Sequence, residues 1–247
     1  MTTFKDLGVH GNYIKALKEL QIKVPTEIQE KTIPVLLKNK TDYIGLAQTG
    51  TGKTAAYGLP ILNSIDTNSA VVQALILSPT RELVQQIKKQ LFKFTKFNEE
   101  KIFVEAVYGG EKIDKQMQRL QRPTHIIVAT PGRLIDLIEK GNVNLRSIKT
   151  VVLDEADEML SMGFKKELDA ILNYTSGSRN TWLFSATMPE EILRIISKYM
   201  EPSAVKVSVN KESLVNANIS HQYLITSIKE KTTVVSQLLD KFNEGRG

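Results

Sequence analysis

The chain has 247 residues, 41 % of them hydrophobic, with 33 Lys and Arg against 27 Asp and Glu for a net charge of +6. That length holds one large α/β domain or one domain plus part of another, and a modest basic excess suits a polyanionic partner without requiring one. The absence of cysteine excludes disulfides and cysteine-ligated zinc and fits a cytoplasmic setting, while the longest apolar stretches fall far short of the roughly eighteen residues of a membrane span.

In chain order, the opening residues Met1-Thr2-Thr3-Phe4-Lys5-Asp6 carry no basic segment followed by an apolar run, so no signal peptide is expected. The first predicted strand, residues 43–47, runs into Ala47-Gln48-Thr49-Gly50-Thr51-Gly52-Lys53-Thr54. A strand that breaks into a Gly-rich loop ending in Gly-Lys-Thr is a phosphate cradle. Its glycines let backbone N–H groups approach an anion, and the helix that follows presents its positive N-terminus to it. Lys53 is the candidate for the β- and γ-phosphates and Thr54 for Mg²⁺. Pro60 falls inside that helix, which is expected to kink or end there.

Further strands are predicted over residues 74–78, 102–107, 125–129, 150–153 and 181–184. Between them lie helical patterns over 81–97, 134–138, 165–172 and 190–199, the last opened by Pro189. The first sets Leu83, Ile87, Leu91 and Phe94 on one face, with Lys88, Lys89, Lys93 and Lys96 elsewhere. Such alternation implies an α/β fold, a parallel sheet with helices on both faces. The strand Val151-Val152-Leu153 ends in Asp154-Glu155-Ala156-Asp157. Ligands bind beyond the carboxyl ends of such strands. Asp154 is thus placed to hold Mg²⁺ opposite Thr54, Glu155 to orient and deprotonate an attacking water, and Asp157 to brace a neighbouring loop. His10, His125 and His221 lie far apart and show no metal spacing. Residues 209–220, rich in Asn and Ser without period, read as a linker, followed by a strand over 221–226 and a helix over 230–242. A strand and a helix close no core of their own, so the chain is expected to be part of something longer.

Shorter signals complete a pattern: Pro25-Thr26-Glu27-Ile28-Gln29 ahead of the phosphate loop, Pro79-Thr80-Arg81-Glu82-Leu83, Gly109-Gly110, Thr130-Pro131-Gly132-Arg133 and Ser185-Ala186-Thr187, each after a strand. With AQTGTGKT and Asp-Glu-Ala-Asp, in this order and over residues 4–242, the chain closely resembles the DEAD-box family of ATP-dependent RNA helicases. The resemblance implies a RecA-like P-loop NTPase fold, with ATP and Mg²⁺ as cofactors and RNA as partner. In that family two RecA-like domains clamp both ligands. Here residues 1–208 correspond to the first domain, 209–220 to the linker and 221–247 to the start of the second. The arginine-rich motif of the second domain is missing, so weak hydrolysis and no unwinding are expected of this chain alone.

The resemblance also assigns roles. Gln29, supported by Thr26, corresponds to the adenine-reading glutamine, and a carboxamide matches adenine's donor and acceptor. Phe4 corresponds to the isolated upstream aromatic, although core packing explains it equally well. Where the family has Gly-Phe or Gly-Tyr, this chain has Gln21 and Ile22; Ile22 can press on an adenine face but cannot π-stack. Gln48, Thr49, Gly50, Thr51 and Gly52 line the phosphates with Lys53 and Thr54. Thr80, Arg81, Gly110, Thr130, Gly132 and Arg133 correspond to positions along the RNA path, where backbone N–H groups, hydroxyls and guanidiniums suit phosphate oxygens; Arg81 and Arg133 equally suit internal ion pairs. Ser185 and Thr187 correspond to the element coupling nucleotide to RNA. A noncatalytic ATP-gated RNA clamp and a DNA translocase are the alternatives.

Overall fold

The strands are short and almost wholly apolar, as expected of a parallel sheet covered on both faces. The computed structural model describes residues 2–38, 40–175, 177–209 and 223–241. Seven strands, β1 (Tyr43–Leu46), β2 (Ala74–Leu77), β3 (Val104–Val107), β4 (Ile126–Ala129), β5 (Thr150–Leu153), β6 (Asn180–Ser185) and β7 (Val205–Ser208), form one sheet in the order β3-β4-β2-β5-β6-β1-β7. Every pairing is parallel. The period-2 alternation of strand side chains separates two cores. Leu75, Leu77, Val151 and Leu153 point to one, and Ile76, Ile126, Val128 and Val152 to the other.

Helices α1 (Gly11–Glu19), α2 (Glu27–Lys38), α3 (Lys53–Ser64) and α4 (Arg81–Phe94) supply Leu17, Ile33, Ile61 and Leu91 to the second core. Helices α5 (Ile113–Leu120), α6 (Pro131–Glu139), α7 (Ala156–Ser161), α8 (Lys165–Tyr174) and α9 (Glu190–Tyr199) pack on the first, through Leu134, Met159, Leu168 and Ile192 among others. Because β6 lies between β5 and β1, the carboxyl ends of these three strands stand side by side. The loops that follow them form the crevice where open parallel sheets bind ligands.

Two expected elements need correction, and one strand was not expected. Helix α3 does not end at Pro60 but runs on to Ser64. It is buried on nearly every side, so packing holds the turn that a missing N–H would otherwise release. Of the strand expected over 221–226, residues 221 and 222 lie outside the described residues, and 223–226 form no strand. Strand β7 was not anticipated. Among the described residues it pairs only with β1, and its Val-Lys-Val-Ser alternation is half-buried, as edge strands are. The chain divides into two units, Met1–Asn210 and Lys211–Gly247. The second carries α10 (Lys231–Lys241). The proposed linker, 209–220, lies outside the described residues apart from Val209.

The end of α1 carries a strained residue. The Ile22 N–H donates to the Leu17 carbonyl at 2.9 Å and the Gln21 N–H to that of Lys18 at 3.0 Å, which holds Gln21 at φ 62°. Glycine is the usual occupant of that left-handed position after a helix. Gln21→Gly is therefore expected to raise stability by about 0.5–1 kcal/mol, relief of a left-handed side chain outweighing the added freedom of the unfolded chain. A urea midpoint that does not rise would show that the turn is unstrained.

Candidate nucleotide and nucleic-acid site

The loop between β1 and α3 closes on itself through the chain's own polar groups. Gly50 and Gly52 adopt φ 76° and 93°, and the Thr51 hydroxyl donates to the Gln48 carbonyl at 2.8 Å. Helix α2 buttresses the loop from outside. The Thr26 hydroxyl donates to the Thr51 carbonyl at 2.8 Å, and Gln29 Nε2 to the Gly52 carbonyl at 3.0 Å. Gln29 is almost fully buried, and its Oε1 accepts from the Thr26 N–H at 3.0 Å. It is thus a strut of the loop, and its amide retains one further N–H and one lone pair for a ligand. Lys53, in the first turn of α3, is also buried, its ammonium donating to the Ala47 carbonyl at 3.2 Å.

Across β6, Asp154 follows the last residue of β5 and is buried. Its Oδ2 accepts from the Tyr57 hydroxyl at 2.9 Å, while Oδ1 has no partner. Burial pushes the Asp154 carboxyl up to about 6 against the opposing pull of the Lys53 charge. A buried carboxylate oxygen without a partner is costly in isolation. Opposite a buried ammonium and a Gly-rich loop, it fits a divalent cation. Tyr57 escaped the sequence reading. Its signal was its place four residues after Lys53, on the same face of α3. Glu155 holds φ 54°, a left-handed position rare for a residue with a side chain, and opens α7.

Asp157, in the first turn of α7, joins the end of β6. Its Oδ2 accepts from the Thr187 N–H at 2.9 Å and the Thr187 hydroxyl at 2.7 Å, while the Ser185 hydroxyl donates to the Thr187 carbonyl at 2.8 Å. Burial pushes this carboxyl up, but hydrogen bonds from Thr187, Ser185 and the Ala186 backbone together outweigh it and hold it below its ordinary value. A depressed carboxylate adds stability that is present above about pH 4 and lost as pH falls through its folded-state value. Asp157→Asn is expected to lower stability at pH 7 by about 1 kcal/mol, discounted for partial exposure. The deficit should shrink as unfolding is followed toward pH 3. A deficit that stays constant with pH would exclude the charged bond as its cause.

The remaining loops gather at the other side of the strand ends. Thr80 caps α4, accepting from the Leu83 N–H at 3.3 Å. The exposed Arg81 lies with its guanidinium carbon 5.2 Å from the centre of the Tyr108 ring. Gly110, at φ 83°, comes so close that a Cβ there would lie 3.3 Å from Arg81 Nη1. Thr130 opens α6 with its side chain making no cap bond, and Gly132 has open space around it. Arg133 is already engaged inside the protein. It donates to the Glu111 carbonyl at 2.9 Å and lies 3.3 Å from Asp136. Phe4 requires correction, since at 3 % exposure it packs into the core and offers no ring to a ligand. Ile22 is half-buried against the same core.

The DEAD/DEAH box helicase family matches residues 26–195. The DEAD-box ATP-dependent RNA helicase CshA of Geobacillus kaustophilus is 46 % identical over 97 % of this chain and 50 % of its own length. The ATP-dependent RNA helicase CshA of Limosilactobacillus reuteri is 44 % identical over 96 % of this chain and 47 % of its own length. The chain thus spans about half the length of the curated relatives it matches. Among solved structures, a DEAD box protein from Methanococcus jannaschii superposes with a TM-score of 0.80 at 36 % identity, over 97 % of this chain and 63 % of that one. The yeast DEAD-box splicing factor Prp28 also gives 0.80, at 31 % identity, over 98 % and 59 %. With the sheet, the phosphate loop and the Asp-Glu-Ala-Asp turn in agreement, the chain belongs to the DEAD/DEAH box helicase family.

Proposed function

We propose that residues 1–208 are the first motor domain of an ATP-dependent RNA helicase, binding Mg²⁺–ATP and half of an RNA path, and that residues 221–247 begin a second RecA-like domain beyond a linker at 209–220. The observation that carries this reading is a buried Lys53 whose charge acts on a buried Asp154 that keeps one oxygen unpartnered. Thr54 and Asp154 would hold Mg²⁺, which when bound neutralises charge on phosphate oxygens. Lys53 exchanges the Ala47 carbonyl for phosphate oxygens, and the N–H groups of residues 48–54 line the rest of the tail. Gln29 reads adenine with its remaining N–H and lone pair, while Ile22 adds apolar contact at most. Glu155 orients a water and takes its proton. Thr80, Arg81, Gly110, Thr130 and Gly132 contact RNA phosphates, which positions a strand without reading its sequence. Arg133 supports the Glu111 turn instead. Ser185, Thr187 and Asp157 couple the two ligands. The cysteine-free composition suits a cytoplasmic setting.

Titration with a fluorescent nonhydrolysable ATP analogue tests the reading. Binding should require Mg²⁺ and weaken at least about 100-fold in Lys53→Ala, in line with the loss of a charged phosphate contact in a buried site. Equal affinity of both proteins would refute it. RNA-stimulated turnover should be low until the second domain is restored, because an arginine finger contributes about 10³–10⁵ in rate.

A further inference from the structure

The lysines that α4 carries away from its buried face have no part in the nucleotide crevice. Helix α4 presents Gln85, Lys88, Lys89 and Phe92 on one side, with Lys96 just beyond its end, beside β3, which among the described residues is paired on one side only. Phe92 is 73 % exposed. Phe103, which lines a hollow with it, is also exposed, at 44 %, so the ring belongs to an apolar patch rather than standing alone.

Two hollows flank that ring. One, of about 510 Å³, lies between Phe92, Ile102, Val104, Ala106 and Tyr108. The other, of about 750 Å³, reaches from Phe92 past Ile102 and Phe103 to Leu20 and Ala16 at the end of α1. Their linings are mainly apolar and their charged residues mainly basic: Lys88, Lys89 and Arg119 at the first, and Lys93, Lys96 and Lys101 at the second, against Glu19, which Lys96 engages, and Glu100, which accepts from the Thr67 hydroxyl. Lys88 is spent on Glu105 at 3.0 Å, and Lys96 on Glu19. Among the described residues Lys89, Lys93 and Lys101 form no ion pair. Lys88 and Arg119 both reach Glu105 at the open side of β3, which guards that edge against strand addition. The accessible feature is therefore the pair of hollows and their charge.

We propose that this surface docks an acidic segment of a partner protein through two large apolar side chains, one in each hollow beside the Phe92 ring. Carboxylates of the segment meet Lys89, Lys93 and Lys101. Charge complementarity selects the partner and speeds its arrival, while the apolar anchors supply most of the affinity. A single-stranded nucleic acid matches the lysines but leaves the two apolar floors unfilled, and a second copy of this basic chain repeats the charge it would meet.

The test uses the whole chain and fluorescein-labelled twelve-residue peptides. Two leucines are set two, three, four or seven residues apart in a Glu/Ser background. Controls are the same leucines in a Lys/Ser background, a Glu/Ser peptide without leucine, and a twelve-nucleotide oligo(U). At least one acidic two-leucine peptide should bind below about 100 µM by anisotropy and weaken with salt. Phe92→Ser and Lys89→Glu/Lys93→Glu should each weaken it at least tenfold. Both variants alter exposed residues and should bind nucleotide as the wild type does. Failure of every acidic peptide to bind below 1 mM, or binding indifferent to Phe92→Ser, overturns the proposal. So does oligo(U) binding that depends on Phe92, or a dimer that Phe92→Ser dissolves. None of these results bears on the nucleotide site.

Discussion

Asp154→Asn is expected to make the free protein more stable at neutral pH, by up to about 3 kcal/mol, from a carboxyl pushed up to about 6 against its ordinary 3.8. The cause is burial of the charged form, which Lys53 and the Tyr57 hydroxyl only partly offset and which Glu155 aggravates. Because the folded state holds this proton more tightly than the unfolded chain, wild-type stability falls as pH rises from about 4 to 6 and then levels off. An asparagine carries no charge to desolvate and can still accept from Tyr57 through its carbonyl. Its new N–H₂ faces the position of the unpartnered Oδ1, which offsets part of the gain. Urea unfolding at pH 4, 5 and 7 should show the advantage of the variant widening with pH. An advantage independent of pH, or a less stable variant at pH 7, would refute the argument. Stability would thereby be sacrificed at the position that the proposed function assigns to Mg²⁺, as functional sites often require.

How much of this site could be read from sequence depended on whether its residues are contiguous. The phosphate loop and the Asp-Glu-Ala-Asp turn each fit within eight residues, and β5 is found at the predicted residues. Their meeting needs β6 between β5 and β1, and the strand-end rule for parallel sheets supplied that. Tyr57 could be placed on the Lys53 face of α3, but its bond to Asp154 was not legible, because the two meet only after that pairing forms, 97 residues apart in the chain. Motif position also misled where packing claimed the side chain. Phe4 fits the upstream aromatic by order yet lies in the core, and Arg133 fits a phosphate contact yet is committed to Glu111 and Asp136. Helices α1, α2, α5 and α7 and strand β7 were missed, several of them marginal by local rules. Pro34 sits inside α2, α5 buries only Gln116, and β7 depends on β1 for its ladder.

Gly52→Ala should be the most damaging small change in the phosphate loop, and Gly50→Ala two residues away a mild one. Both glycines have positive φ, so an alanine at either carries about 1–2 kcal/mol of backbone strain, partly offset by a stiffer unfolded chain. At Gly50 nothing lies within 4 Å of the added Cβ. At Gly52 the Cβ would lie 2.4 Å from Gln29 Nε2 and 3.2 Å from Thr26 Oγ1. Gln29 is buried and tied at both ends of its amide, so it cannot swing aside without losing its bonds to Thr26 and Gly52. Overpacking of this kind adds about 1–3 kcal/mol, giving a total of about 2–4. Gln29→Ala should remove the obstruction, so the double variant Gly52→Ala/Gln29→Ala should be less destabilised than the two single changes sum to. Urea unfolding of the four variants measures the coupling. If Gly52→Ala proves no more harmful than Gly50→Ala, or the double variant is simply additive, α2 does not brace the loop as described. Analogue titration should separate the two glycines in the same way, with affinity largely kept in Gly50→Ala and lost in Gly52→Ala, because only the latter forces the N–H groups around Lys53 out of position.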